Sequence, residues 1–580
     1  MSIKLSEPES SKSIYYKATV AEALEMLKGN LEEGQLGGFL TVVDDNLKVI
    51  GVLTDSDIRR NVKILNFTDK PIIDFYRKDF IKLYEYQNLQ EMANFFRNQL
   101  ELRDLRTKYP ITYVPILDDN EKLFKVMHIN QLIELISPYL QEIVIIGLGF
   151  VGLTLASAIA RSGQQVIGIE KNQNTLNKIL DFEPEVFEPG LVDILRKTLN
   201  SNFKVFSKFD DLPKKRIFNS QRIYIITVGT PVVNNIIDDT AIVSASNAIS
   251  VDLNEGDMVI TRSTVPVGAT RETVGKIINQ ASGLKPGKDF YLVSAPERTV
   301  EGNAIEEISL LPQIIGGLGE ECTSKAVAFF SRISPNTVVM ESLEASEFSK
   351  LMSNAYRDVN FNFANEMSLI ASNFNFDINE TIKKSNLGYS RNQIPQPSPG
   401  VGGPCLTKDS RILLKSVNHQ NSSIIKAARD FNEKFINDIA VRIKENIPEQ
   451  IALLAVGLTF KGLPNTNDYR DSTGIMICDK LKYFNVDLYY YDEMGSNRTL
   501  DEANLKIHDQ LEEIIKKVEI EGILILNNNP NHIKPIIEVL SNRKTKMKLI
   551  FDPWKIFSED LAHKFSVKYL TLSRSVNFEE

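Results

Sequence analysis

The stretch from Glu142 to Glu170, EIVIIGLGFVGLTLASAIARSGQQVIGIE, constrains this chain more than any other. Its first five residues read as a buried strand. Gly147, Gly149 and Gly152 follow at once in G-x-G-x-x-G spacing, a helix runs to about Ser162, and a second strand closes on the acid Glu170. The three glycines serve a tight turn, close approach of a pyrophosphate, and close packing of helix on strand, in that order. The first helical turn, Phe150 and Val151, adds amides and a positive dipole end for phosphate. A carboxylate about 20 residues on suits the ribose hydroxyls of NAD and repels the 2′-phosphate of NADP. Lys171, next to it, is the one residue that argues the other way.

The rest of the chain must accommodate that unit. At 580 residues it is too long for one core, and roughly four domains of ~150 residues are expected. A net charge of −8 provides no basic excess for a nucleic-acid partner. Three cysteines, Cys322, Cys405 and Cys478, form no disulfide framework and suit a reducing cytoplasm. They and five histidines show no metal-ligand spacing. The polar start MSIKLSEPESSKS has no apolar core of a signal peptide, and no apolar run reaches the ~18 residues of a membrane helix.

Residues 1–140 read as a separate unit. TVAEALEML is a capped amphipathic helix, and GGFLTVVDDNLKVIGVLTDSDIRR reads strand, Asp-Asp-Asn turn, strand, helix. YPITYVPILDDNEKLFKVMHINQLI repeats that pattern, which suggests an internal duplication. The unit resembles a tandem CBS module, an α+β pair that often binds adenine nucleotides. The resemblance implies that Thr54 and Asp57 hold a ribose in the first repeat. His128 and Gln131 stand at those places in the second, which puts one of the two clefts in question.

Further apolar strands end on polar clusters: RIYIITVGTP at Thr230, DMVITRSTVPVG at Ser263 and Thr264, and FYLVSAPERTVEGNA before Glu297. Ligands of doubly wound sheets lie beyond such strand ends. PQPSPGVGGPCLTKD, Pro395 to Asp409, is too rich in proline and glycine for a helix and presents Cys405 from a sharply turning backbone. Together with EASEFSKLMSNAYRDVNFNFANE and GLTFKGLPNTNDYRDS, these segments resemble the UDP-glucose/GDP-mannose dehydrogenase family, in the family's order, from about Ile143 to the end.

The resemblance implies two Rossmann-like doubly wound α/β domains joined by a central helical region, preceded by the CBS module. The expected boundaries are 1–140, 141–335 for NAD binding, 336–446 for the helical dimerisation region with the cysteine loop, and 447–580 for the nucleotide-sugar domain. It also implies a four-electron oxidation of a nucleotide sugar at C6, from alcohol to carboxylate, through a Cys405 thiohemiacetal and thioester. Lys350 and Asn354, an i, i+4 pair, would stabilise the oxyanion, and Asp409 would orient a water or take a proton. Glu297 would be the base for thioester hydrolysis. Thr264 and Glu301 would flank the nicotinamide and the water. Arg298, Gly402, Gly403 and Lys461 would contact the substrate, Thr230 the cofactor, and Arg470 the cofactor or a neighbouring subunit. Phe348, Leu351, Met352 and Ala355 are expected to pack inward, and Cys322 and Cys478 to be core residues. The implied partners are a UDP-sugar, an adenine nucleotide at the CBS module, and a second copy in a homodimer or larger homo-oligomer, with no metal, nucleic acid or membrane.

Arg298 after Pro296-Glu297, and the PSPGVGG approach, look like enzymes acting on UDP-GlcNAc or UDP-ManNAc, which supply uronic acids for surface polysaccharides. Pro404, where many of those have histidine, leaves UDP-glucose and GDP-mannose open. Two rivals are a two-electron dehydrogenase of the hydroxyacid type, which needs no cysteine, and a nucleotide sensor with an inactive dehydrogenase half.

Overall fold

The computed structural model describes residues 12–32, 38–61, 67–103, 111–214, 216, 220–233, 236–416, 423–448, 450–495, 499–500, 505–541 and 547–578. The polar start, residues 1–11, lies outside them. The chain divides into two compact units. One is Met1–Ile143 with Ile159–Ile167 and Leu212–Ile223; the other holds the remainder.

The first unit shows the duplication in its backbone. Ser13–Tyr15, Phe39–Val43 and Val49–Thr54 form one three-stranded sheet; Leu83–Tyr84, Tyr113–Leu117 and Leu123–His128 form another. In each the first pair is parallel and the second antiparallel, with a register shift near the end of the middle strand. The turns match atom for atom. Asp44 Oδ1 accepts from the amides of Asn46 and Lys48, both at 2.9 Å, and Asp118 Oδ1 from those of Asn120 and Lys122, at 2.9 and 2.8 Å. Such Asx turns explain why both copies carry aspartate there. Each repeat closes its own apolar core, around Leu40, Val42 and Leu53 or around Phe96, Val114 and Ile116.

From Glu142 onward, two eight-stranded sheets follow one plan. The first runs, in spatial order, Phe203–Phe206, Gln165–Ile169, Glu142–Ile146, Arg222–Ile226, Met258–Thr261 and Tyr291–Ser294, then Gln313–Gly317 and Thr337–Val339. Numbered along the chain, the first six give the order 3-2-1-4-5-6 of a dinucleotide fold. The second sheet repeats that order with Leu505–His508, Asp487–Tyr491, Ala452–Val456, Gly522–Ile525, Leu549–Phe551 and Lys568–Leu570, flanked by Thr499–Leu500 and Ser575–Val576. Its central strands are buried on both faces, as parallel strands between helix layers must be.

Among the described residues, four helices lie between the sheets in sequence: Leu343–Ser372, Ile378–Asn386, Leu406–Lys415 and Ile424–Glu445. The long helix Leu343–Ser372 corrects one expectation. Leu351 and Ala355 are buried, but Phe348 and Met352 are 45% and 49% exposed. Its buried face is instead largely polar and includes Glu347, Asn354, Asp358, Asn362 and Asn365. The reason lies in the loops it supports, whose amides need acceptors once removed from water. Glu347 accepts from the amides of Gly268 (2.6 Å) and Thr270 (2.8 Å), and Asn365 Oδ1 from that of Ser398 (2.8 Å). No helix among the described residues is long and apolar enough to cross a membrane.

Candidate active site

The glycine loop is built as its spacing predicts. Gly147 has φ +92°. A Cβ on Gly149 would meet nothing within 4 Å, so this position opens onto free space, whereas one on Gly152 would stand 1.8 Å from the Gly147 carbonyl. The residues therefore fit a dinucleotide: room at the second glycine, helix-on-strand contact at the third. Glu170 holds the loop as well as facing it, since Oε2 accepts from the Leu148 amide (2.9 Å) and Oε1 from the Asn172 amide (2.8 Å). Beyond the neighbouring strands Arg222–Ile226 and Met258–Thr261, Thr230 Oγ1 donates to the Thr264 carbonyl (2.6 Å), tying together two of the polar strand ends.

Cys405 immediately precedes the helix Leu406–Lys415 and is exposed, whereas Cys322 and Cys478 are buried as expected. The glycines before it let neighbouring chain come close. A Cβ on Gly403 would stand 2.6 Å from the Phe460 ring, and one on Gly402 2.5 Å from the Asp471 carbonyl. The Gly403 amide donates to Asp471 O (3.0 Å) and the Val401 amide to Asn432 Oδ1 (2.7 Å). The bareness of this loop thus admits the Phe460 ring and the Asp471 backbone, and those amides are spent pinning it. Burial pushes the Cys405 thiol up; Lys350 pulls it down, Asp409 pushes it up again and Lys408 pulls it down, and the balance stays above the ordinary thiol range. The helix N-terminus favours the thiolate as well.

Around the thiol stand Lys350, Asp409, Lys408 and Glu301, all within its electrostatic reach. Asn354 Nδ2 donates to Asp409 Oδ2 (2.6 Å). The other oxygen, Asp409 Oδ1, is buried without a hydrogen-bond partner, which leaves it one strong acceptor. Lys408 joins the site only in the structure, because one lysine beside a motif carries no signal of its own. Its Nζ lies 3.4 Å from Thr230 Oγ1 and 4.0 Å from Asp409 Oδ1, between the cofactor-side loop and the thiol.

The two glutamates of PERTVEG differ sharply. Glu297 is almost fully buried and saturated. Its Oε2 accepts from Arg262 Nε (3.1 Å) and Nη2 (2.6 Å), its Oε1 from the amides of Arg298 (2.7 Å) and Thr299 (2.9 Å). Burial raises its carboxyl, but Arg262 and those amides outweigh burial and hold it below the ordinary range. Glu301 is the reverse case: burial, then the nearby Asp468, push it up. Its Oε2 accepts from Thr466 Oγ1 (2.9 Å), its carbonyl from Lys461 Nζ (2.7 Å), and Arg470 Nη2 lies 3.7 Å from Oε1. Arg470 pairs more closely with Asp468, Nε to Oδ1 at 3.0 Å. Arg298 is exposed.

Lys461 sits in a loop that repeats the first one. GLTFKG, Gly457 to Gly462, matches GLGFVG at four of six positions. Gly457 has φ +78°, and Asp492, at the end of the next strand, accepts from the amides of Leu458 (2.7 Å) and Thr459 (3.0 Å) much as Glu170 accepts from Leu148. Yet a Cβ on Gly457 would stand 2.5 Å from both Asn527 and His532, closer than the 3.2 Å to Val228 at its counterpart Gly147, and Thr459 occupies the place of the open Gly149. The spacing match is a signal from which this second loop is identifiable in the sequence.

Sequence profiles of one family cover the catalytic part in order. They are the NAD binding domain over residues 141–334, the central domain over 344–434 and the UDP binding domain over 454–559 of the UDP-glucose/GDP-mannose dehydrogenase family. The chain belongs to this family. It is an NAD-dependent nucleotide-sugar dehydrogenase, and a CBS domain profile matches residues 10–64 ahead of it. It is 29% identical over 425 residues to the UDP-N-acetyl-D-mannosamine dehydrogenase of Pyrococcus horikoshii, covering 72% of this chain and 96% of that one. It is 31% identical over 350 residues to the enzyme of that name from Campylobacter jejuni, covering 59% and 83%. Among solved structures, the P. horikoshii enzyme superposes with a TM-score of 0.65 at 27% identity, over 75% of this chain and 99% of that one. The UDP-N-acetyl-mannosamine dehydrogenase of Staphylococcus aureus gives 0.61 at 25%, over 74% and 98%.

Proposed function

We propose that this enzyme oxidises UDP-N-acetyl-D-mannosamine at C6 to the uronic acid, with Cys405 as covalent nucleophile. Of the two N-acetylhexosamine substrates considered, the mannosamine form is favoured by the names of its relatives. The observation that carries the chemistry is the grouping of Cys405, Lys350, Asn354 and Asp409 with one carboxylate oxygen left open. Gly147, Gly149, Phe150, Val151, Gly152, Glu170 and Thr230 would hold NAD⁺, which when bound accepts a hydride in each of two oxidations.

The chain's own residues do the rest. After the first oxidation C6 is an aldehyde. The thiol loses its proton to the open Asp409 oxygen, and its sulfur bonds to C6. Lys350 and Asn354 face the charge that develops on the former carbonyl oxygen. The second oxidation removes the remaining C6 hydride and leaves a thioester. A water oxygen then bonds to C6, one of its protons goes to Glu301, and the C6–S bond breaks to release the carboxylic acid and the thiolate. The thiolate takes the acid's remaining proton, leaving carboxylate and the resting thiol, and Asp409 and Glu301 return their protons to water. Glu301 suits this role better than Glu297, because a base raised toward neutrality is effective and a saturated low one is not. Glu297 instead shapes the loop that presents Glu301. Counting NADH per UDP-N-acetyl-D-mannosamine consumed tests the reading: two supports it, one points to the two-electron rival and none to the inactive sensor.

Two partner readings accompany it. Phe348, Met352, Tyr356, Phe363 and Ile370 leave an exposed apolar stripe, 45–68% accessible, along the long helix. A second copy covering it would make the homodimer. Met352→Glu should then give a monomer by light scattering, and a wild-type monomer at micromolar concentration would refute the stripe's role. In the first unit, Asp57 Oδ2 accepts from Thr54 Oγ1 (2.6 Å) and Arg77 Nε (3.1 Å) beside a cleft lined by Thr54, Arg77, Phe80 and Tyr113. His128 there caps its own helix, accepting from the Asn130 amide at 3.2 Å, and stacks edge-on against Tyr113. One adenine nucleotide per chain is expected at the Thr54 cleft. Calorimetry of the full chain with AMP and ATP should show heat that Asp57→Ala removes; no heat with either would dispose of the site.

A further inference from the structure

The buried face of the long helix carries a second polar group that the proposed chemistry does not use. Asp358 is fully buried, one turn beyond Asn354 and two beyond Lys350. It forms an ion pair with Arg429, itself buried on the helix Ile424–Glu445. It also accepts from Asn362 Nδ2 (3.0 Å) and from Ser410 Oγ (2.8 Å). Ser410 is fully buried and is the residue after Asp409. The long helix therefore grips the nucleophile helix at two consecutive residues: Asp409 through Asn354, Ser410 through Asp358.

Consecutive residues of a helix point about 100° apart. A single grip leaves a helix free to roll about its axis, whereas two at that angle fix the roll. The first turn transmits it directly, since the Asp409 amide donates to the Cys405 carbonyl at 2.8 Å. Arg429 explains how a second buried carboxylate is tolerated here. It neutralises Asp358, so the acceptor for Ser410 adds no net negative charge beside a thiol that must ionise. A buried pair of this kind is weak evidence for stability and better evidence for a specified geometry.

We propose that Asp358 is a positioning residue. Through Ser410 it sets the rotation of the helix Leu406–Lys415, and so the directions in which Cys405 and Asp409 present their side chains. This rests on the reading that those two groups do the chemistry. The test uses the full chain, NAD⁺ and UDP-N-acetyl-D-mannosamine. Ser410→Ala removes one hydroxyl and should lower kcat about tenfold, the worth of one hydrogen bond expressed at the transition state. KM for both substrates should stay within about twofold. Asp358→Asn should lower kcat at least as much, and the double variant should be no slower than Asp358→Asn alone, because the serine acts through the aspartate. A Ser410→Ala enzyme with unchanged kcat and a lower melting temperature would show a structural role only and overturn the proposal. So would two effects that multiply. If Asp358→Asn fails to fold, the split between kcat and KM in Ser410→Ala decides alone. The thiol reading fails separately, by two NADH per sugar from Cys405→Ser, whatever Ser410→Ala does.

Discussion

Cys405→Ser will make acid formation at least about a thousandfold slower, the usual scale for removing a covalent nucleophile. The effect is large because an aldehyde has no hydride ready to leave until a group adds to its carbonyl. Serine is a far weaker nucleophile than the thiolate that Cys405 becomes once its proton is taken up. The first oxidation does not need sulfur, so NADH per sugar should fall from two toward one. Mass spectrometry of wild-type enzyme quenched during turnover should find the sugar mass on the peptide containing Cys405, and none on Cys322 or Cys478, which are buried. Two NADH per sugar at an undiminished rate from the serine variant would end the thioester account.

Arg262→Met should cost about 3 kcal/mol or more of stability at pH 7, as breaking one side of a buried ion pair generally does. Arg262 is only 1% exposed and binds Glu297, Gln313 and the Ala295 carbonyl. Its removal leaves the Glu297 carboxylate without its main counter-charge. The sign with pH follows. In the wild type, the Glu297 carboxyl is lower in the folded state than in the unfolded chain, so its stabilisation is present above the ordinary carboxylate range and lost as pH falls through the folded value. Without Arg262, burial dominates and the carboxyl moves up, so the folded state binds a proton more readily than the unfolded chain. Stability of the variant then declines as pH rises from about 4 to about 7, the span over which such a raised carboxyl ionises. Urea midpoints measured at both ends should therefore show a gap that widens with pH. A constant gap, or one under about 1 kcal/mol, would mean that the loop 296–301 is held by other contacts.

Much of this is legible in the residues, for reasons that are local. The loop GLGFVG needs a positive φ at Gly147 and no Cβ at Gly152, constraints that act within six residues and admit few other side chains. The duplicated Asp-Asp-Asn turns are readable because an Asx turn is made by its own side chain. Cys405 and Asp409 lie within one turn of a single helix, so their proximity follows from spacing. Periodicity alone misassigns the faces of the long helix. Phe348 and Met352 point outward and Asn354 and Asp358 inward because the groups that need them, on the loops at Gly268 and Ser398 and on the helix Leu406–Lys415, are distant in sequence.

The glycines of PSPGVGG show the same division. Composition establishes that the segment turns and leaves its backbone bare; only the approach of Phe460 and Asp471 shows what comes close. The residues PERTVEG likewise offer two carboxylates, of which the resemblance picks Glu297 as base; Arg262, thirty-five positions before it, shows that Glu297 is the saturated one. The sequence by itself determined the two dinucleotide folds and the repeat ahead of them, and it places Cys405 at a bare turn, since each depends on residues a few positions apart. Tertiary structure alone decided which of Glu297 and Glu301 is saturated and the inward polar face of the long helix, because ionisation and hydrogen-bond demand are set by what packs nearby.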